Sequence, residues 1–299
     1  MPRRILASAL VAALVTLTGC AASDAAATVN GSAVSTDDLE QTVRDFVAVG
    51  ETTLLNGAAD GDTVRGLLTS FIRARITDAV IAASGESVTD DDLAAVRDEL
   101  DAQNVAGLPD TLRDLIVKLN AAQAVLARIP APSSDEVAAR YANNPKSLGM
   151  LCLRHLVVKE ESQARSALVE LGDAPSDEKF AQVAGKFSYE PGAAESGGAL
   201  RGQTGECIAI NEYQAGFDRD FVRGALAART GVPTQPVKSS FGWHVIFVRP
   251  FEAVRESVTA SLTSSAGEYL LLGALADADI SVATRYGRWD PLAGSVVAP

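Results

Sequence analysis

The apolar residues of this 299-residue chain change period near residues 145–149, and that change divides the fold. As far as residue 126 they recur at helical spacing. Leu39, Val43, Phe46 and Val47 share one face, behind the acidic pair Asp37-Asp38 and a cap at Ser35 or Thr36. Val64, Leu67, Leu68, Phe71, Ile72, Ile76 and Val80 mark a helix over 62–83. Thr89 caps a third, carrying Leu93, Val96 and Leu100; a fourth follows Pro109 and carries Leu112, Leu115, Ile116, Leu119 and Leu126. Pro130 and Pro132 stop it, and a short helix covers 134–141. Residues 28–145 thus read as a helical domain that opens on a hairpin-type turn at Asn30-Gly31. No catalytic constellation is visible in it.

Beyond 145–149 the runs become short and strand-like. A strand over 151–158 is followed by helices over 160–171 and 176–187, a glycine-rich loop over 190–198, a helix over 217–228, and strands over 235–239 and 243–248. A further strand is expected after Gly198, beside the first. The order β-α-α-β-α-β-β predicts an α+β unit over 149–251, an antiparallel sheet covered by helices. Residues 252–299 continue as a helix to 276, a strand-like piece over 280–286 and a polar tail. This segment is expected to return onto the N-terminal helices and split the helical domain.

The chain has only two histidines, His155 and His244, each inside one of the strand-like runs. Two satisfied core imidazoles would explain them, and so would a shared site. Ser239 and Ser240 lie near His244, but no nucleophile-elbow pattern surrounds them, so a serine hydrolase is set aside.

The first 19 residues read as a targeting signal: Arg3 and Arg4, an apolar stretch over 5–16 too short for a bilayer core of roughly 30 Å, then Leu17-Thr18-Gly19-Cys20. The position of Cys20 resembles the bacterial lipobox, which implies an acylated cysteine and a membrane anchor made of lipid alone. Residues 20–27 then read as a small-residue tether. The remainder would be extracytoplasmic. A net charge of −12 argues against nucleic acid as a partner and against polybasic attraction to anionic lipid. Cys152 and Cys207 form an even pair with no CxxC and no Cys/His cluster, so no metal site is expected. A Cys152–Cys207 disulfide fits an oxidising compartment; two buried thiols are the alternative.

Five segments, in order, carry a more specific signal: His155-Leu156-Val157-Val158-Lys159; Phe180-Ala181-Gln182-Val183-Ala184; Phe187-Ser188; Ser196-Gly197-Gly198-Ala199-Leu200; and Phe241-Gly242-Trp243-His244-Val245-Ile246. Over about 100 residues they resemble the parvulin family of peptidyl-prolyl isomerases. The whole plan is similar to extracytoplasmic foldases of the PrsA and SurA class. The resemblance implies isomerisation of X-Pro bonds in unfolded or nascent secreted polypeptides, with no cofactor. It places His155 and His244 at the floor of the site and Glu190 where the family has Cys or Asp near the substrate carbonyl. It assigns the proline pocket to Leu200, Tyr213, Phe217 and Phe241. The family pattern Gly-Gly-Asp-Leu-Gly here reads Gly197-Gly198-Ala199-Leu200-Arg201, and about five extra residues separate it from Phe217. A disulfide would staple two strands beneath the site. The alternative function is a holdase chaperone with weak catalysis, whose helical domain binds unfolded chains; a structural lipoprotein with a decayed parvulin fold is a third. Association into a homodimer is left open.

Overall fold

A computed structural model of the protein describes residues 25–103, 107–202 and 205–299. The apolar stretch over 5–16 and Cys20 lie outside the described residues.

The chain enters through a hairpin. β1 (Ala25–Val29) and β2 (Ser32–Ser35) pair antiparallel around Asn30 and Gly31, with φ of 49° and 80°. Two successive positive φ values are what an Asn-Gly turn supplies. The expected tether over 20–27 is corrected here: Ala26 and Ala27 belong to β1 and are almost fully buried. Alanine hid the strand, because it shows no hydrophobic contrast along the sequence, yet it is small enough to lie beneath helices.

Five helices follow. α1 (Thr36–Ala48) is capped by Ser35, whose hydroxyl accepts the Asp38 N–H. A second Asn-Gly turn, Asn56-Gly57, joins the small strands β3 (Leu54–Leu55) and β4 (Ala58–Ala59). α2 (Gly61–Ala83) is capped by Asp60, and α3 (Asp90–Ala102) opens with a capping box between Thr89 and Asp92. α4 (Asp110–Ala127) and α5 (Ser134–Asn143) complete the set, and a 3-10 turn over Pro145–Leu148 leads out.

The α+β unit then begins. β5 (Met150–Leu151) and β6 (Leu153–Val158) are followed by α6 (Glu161–Leu171), α7 (Asp177–Phe187) and the short α8 (Ala193–Ser196). β7 (Ile208–Ala209), α9 (Ile210–Gly216), α10 (Arg219–Ala227), β8 (Val237–Ser239) and β9 (Gly242–Val248) close it. The main sheet is antiparallel in the order β6-β9-β8. The strand expected after Gly198 is divided. Ala199 and Leu200 pair with the start of β6 through one bridge and the Leu200 N–H to Leu153 O bond, and β7 pairs with β5. Between these pairings Gly202 and Gly205 form an isolated bridge with each other, apart from both ladders. The helix expected over 217–228 is α10, which starts at Arg219 because Asp218 caps it; α9, just before Phe217, is an additional helix.

α11 (Phe251–Asp277) breaks its helical dihedrals at Ser265, and β10 (Ile280–Val282), β11 (Arg288–Asp290) and β12 (Ser295–Val297) end the chain. Before the break, Val254, Val258 and Leu262 pack in the α+β core. After it, Leu270, Leu271, Ala274 and Leu275 pack in the helical core with Leu68, Ile72 and Val125. Glycines allow the close approach: a Cβ at Gly267 would stand 2.0 Å from Leu126 O, and one at Gly273 2.1 Å from Ser147 O. β10 joins the far edge of β1, so the helical domain is built from both ends of the chain.

Candidate functional site

Strand periodicity places the two histidines together. In the β6–β9 register His155 opposes Ile246 and Val157 opposes His244. The histidines are therefore diagonal neighbours on one face of the sheet. Their rings stack at 5.5 Å and 15°, with Nδ1 to Nδ1 at 3.3 Å. Both residues are buried. Phe221 on α10 sets its ring edge-on to both, at 5.5 and 5.1 Å.

One assignment of protons satisfies this cluster. Contact with His155 holds the Glu190 carboxyl below the usual range against the opposing effect of burial, so it can only accept. Glu190 Oε2 stands 2.9 Å from His155 Nε2, off the ring's N–H axis, so the contact is electrostatic and the buried Nε2 has no aligned hydrogen-bond partner. With the proton on Nε2, His155 Nδ1 accepts. His244 is held neutral, because burial foremost and then the neighbouring His155 push its pKa down to about 4. Its Nδ1–H donates to His155, and its Nε2 accepts from the Ser239 hydroxyl at 2.7 Å. Ser239 Oγ in turn accepts the Phe241 N–H at 3.0 Å. Ser239 is 4% exposed, which removes it as a nucleophile.

The histidines form the floor of a cavity of about 320 Å³. Leu200, Phe217 and Phe221 make its apolar wall; Tyr189, Glu190, Asp218 and Phe241 stand around its mouth. Phe217 packs on Phe221 at 5.5 Å. Phe241 is 67% exposed at the β8–β9 turn, where its carbonyl accepts from the Tyr189 hydroxyl. The expectation for Tyr213 needs correction. It does not line the cavity: it is fully buried behind Phe217, ring to ring at 4.8 Å, and its hydroxyl donates to Leu151 O. The extra residues between Leu200 and Phe217 moved the alignment, and α9 turns Tyr213 into the core.

Sequence reasoning missed Phe221, Ser239, Asp218 and Tyr189. Asp218 carried a signal, an acidic cap ahead of a helix. Its carboxylate accepts from the Ser240 hydroxyl and N–H and from two α10 N–H groups, and the Ser240 hydroxyl bond chiefly holds it well below the usual range. The contact ties α10 to the β8–β9 turn.

A buried ion cluster fixes the glycine-rich loop. Arg154 donates to Asp177 at 2.8 and 3.0 Å and to the carbonyls of Ser196 and Gly197 at 2.9 and 3.1 Å. Arg249 reaches the same carboxylate at 2.8 and 3.1 Å, and Glu206 at 3.0 Å. Burial would raise the Asp177 carboxyl, but the two guanidinium groups outweigh it and hold it low. Gly198 must be glycine: its φ is +71° and a Cβ would fall 2.0 Å from His155 O. The Gly198 carbonyl accepts the His155 N–H. Nearby, Cys152 and Cys207 sit with Cα atoms 4.1 Å apart and their sulfurs at bonding separation. Among the described residues no group of three or more His, Cys, Asp or Glu is placed to hold a metal ion.

Residues 156–249 match the family model of the rotamase domain, PPIC-type PPIASE, so the chain carries a parvulin-type domain. The match starts one residue after His155 and includes His244. Among curated proteins, the foldase protein PrsA of Clostridium kluyveri is 32% identical over 133 residues, 42% of this chain and 35% of that protein. PrsA of Clostridium botulinum (strain Hall) is 29% identical over 168 residues, 52% and 46% respectively. The chain thus spans less than half the length of these relatives. The crystal structure of PrsA from Bacillus subtilis aligns with 73% of this chain and 84% of its own, at 18% identity and a TM-score of 0.29. A score that low carries no argument about the arrangement of the whole chain.

Proposed function

We propose that the protein is a peptidyl-prolyl cis–trans isomerase acting as a foldase on secreted or cell-envelope polypeptides, outside the cytoplasmic membrane. The observation that carries this reading is the stacked histidine pair beneath an aromatic-walled cavity, inside a segment that matches the rotamase domain. The barrier to X-Pro rotation, roughly 18–20 kcal/mol, arises from amide resonance. The planar amide carries more charge on oxygen and nitrogen than the twisted one. Here Leu200, Phe217 and Phe221 grip the proline ring and take the amide out of water, which favours the less polar twisted form. The Glu190 carboxylate lies beside the substrate carbonyl and disfavours the charge that resonance places on its oxygen. The Ser239–His244–His155 chain fixes His155, whose Nε2 stands beside Glu190 and so positions that carboxylate at the carbonyl. No group is deprotonated in this mechanism.

The same reading takes Cys20 as a lipid anchor and Cys152–Cys207 as a disulfide that ties the residue before β7 to the link between β5 and β6. Mass spectrometry of the non-reduced protein would find no free thiol at either position. The isomerase itself is tested by NMR exchange on a short X-Pro peptide, with the chain from Ala21 onward. The parent accelerates cis–trans exchange, and His155→Ala and Phe217→Ala do not. A parent without effect on exchange overturns the reading.

A further inference from the structure

The charges around the cavity mouth differ from the apolar character of its wall. Of the twelve residues that line the cavity, two are carboxylates, Glu190 and Asp218, and none is lysine or arginine. Both carboxyls are held below their usual range, so both are ionised at neutral pH. Asp218 spends its oxygens on Ser240 and on the first turn of α10. The Glu190 side chain is 44% exposed, and its one recorded partner is the off-axis His155. Two ammonium groups lie near the rim without lining the cavity: Lys159, 5.9 Å from the centre of the Tyr189 ring, and Lys238, 5.3 Å from the centre of the Trp243 ring and close enough to help lower His244. Neither is among the groups that shift Glu190. Inside the cavity, the buried His155 Nε2 lacks an aligned partner, a donor awaiting an acceptor from a bound chain.

A chain seated with its proline ring against Phe217 and its amide oxygen toward His155 has its preceding side chain emerging at the mouth, where Glu190 stands. We infer that this site selects X-Pro segments in which the residue before proline is lysine or arginine, and discriminates against glutamate or aspartate there. This rests on the proposed proline-binding role of the cavity. A unit charge about 4 Å from a carboxylate in water-like surroundings gains about 1 kcal/mol, so a Lys-Pro peptide should exceed a Leu-Pro one by about fivefold, and a Glu-Pro one should fall below it. Because the mouth is open, the difference shrinks as salt is raised.

The test uses three peptides that differ only before proline: Lys, Leu and Glu. Binding is followed by chemical-shift titration and catalysis by NMR exchange, at low and high salt. The expected order is Lys above Leu above Glu in both readouts, compressed at high salt. Glu190→Gln brings the Lys-to-Glu ratio toward one, and Glu190→Lys inverts it; a ratio within one variant is insensitive to any general loss of activity. Catalysis with equal response to the three peptides overturns the inference and leaves the isomerase reading standing, as does a ratio unmoved in both variants. Charge-ordered binding without faster exchange supports the inference and overturns the isomerase reading. Absence of binding by all three overturns both.

Discussion

The two faces of the β6-β9-β8 sheet are made of alternate residues of the same strands, and they serve different ends. On one face Leu156, Val158, Val245 and Phe247 meet Phe180, Val183 and Ala184 of α7 in a sealed apolar layer. Phe180 stacks on Phe247 at 4.9 Å. On the other face the same strands present His155, Val157 and His244 to a layer that α9 and α10 cover only in part, and the uncovered part is the cavity. Moving one residue along either strand therefore moves from packing to chemistry. Glu190 and Leu200, beside the histidines, come from a loop pinned by Arg154, the residue before His155 on β6.

This division can be broken by experiment. The largest effect belongs to the sealed face: Phe180→Ala removes a fully buried ring and should cost about 3–5 kcal/mol in urea unfolding, taking the cavity with it. Acidification is next. His244 has a folded pKa of about 4 against a reference of 6.5, so the unfolded chain binds its proton first as pH falls. Its neutral burial contributes fully above pH 6.5 and is lost between 6.5 and 4, a drop of roughly 3 kcal/mol. Glu190, depressed in the fold, adds a further loss at lower pH as its own carboxyl is protonated. An unfolding free energy flat from pH 7 to 4 would mean that His244 is solvated in solution. His155→Ala should slow catalysed exchange by about a hundredfold, the scale of misplacing a catalytic group. Its stability loss should stay below that of Phe180→Ala; equal losses would erase the distinction between the faces. The smallest change is Phe241→Ala at the exposed rim, expected to weaken peptide binding by about threefold or less and to leave unfolding within about 0.5 kcal/mol.

The part of the site carried by periodicity was legible. Two short alternating runs with one histidine each can meet on one face only if the runs pair, and the glycine pair at 197–198 marks a backbone that tolerates no side chain. The rest depended on long-range geometry. β1 escaped because alanine carries no pattern. Tyr213 was misplaced because the extra residues ahead of it shift everything after them. Arg154, Asp177 and Arg249 form one cluster from positions far apart in sequence, and nothing local announces it. The break in α11 at Ser265 has no proline beside it to announce it.

The closing of β1 by β10 has a consequence for the order in which the protein is finished. Asn30 Oδ1 accepts the Asp279 N–H across a separation of 249 residues, and β1 lacks its second neighbour until the chain has been delivered almost to its end. The α+β unit lies wholly inside that interval, so on a chain emerging from its N-terminus the middle can be assembled while the beginning is still waiting. What is made first is completed last, and a truncation after residue 250 would leave the opening helices without their lid strand rather than merely shorten the tail.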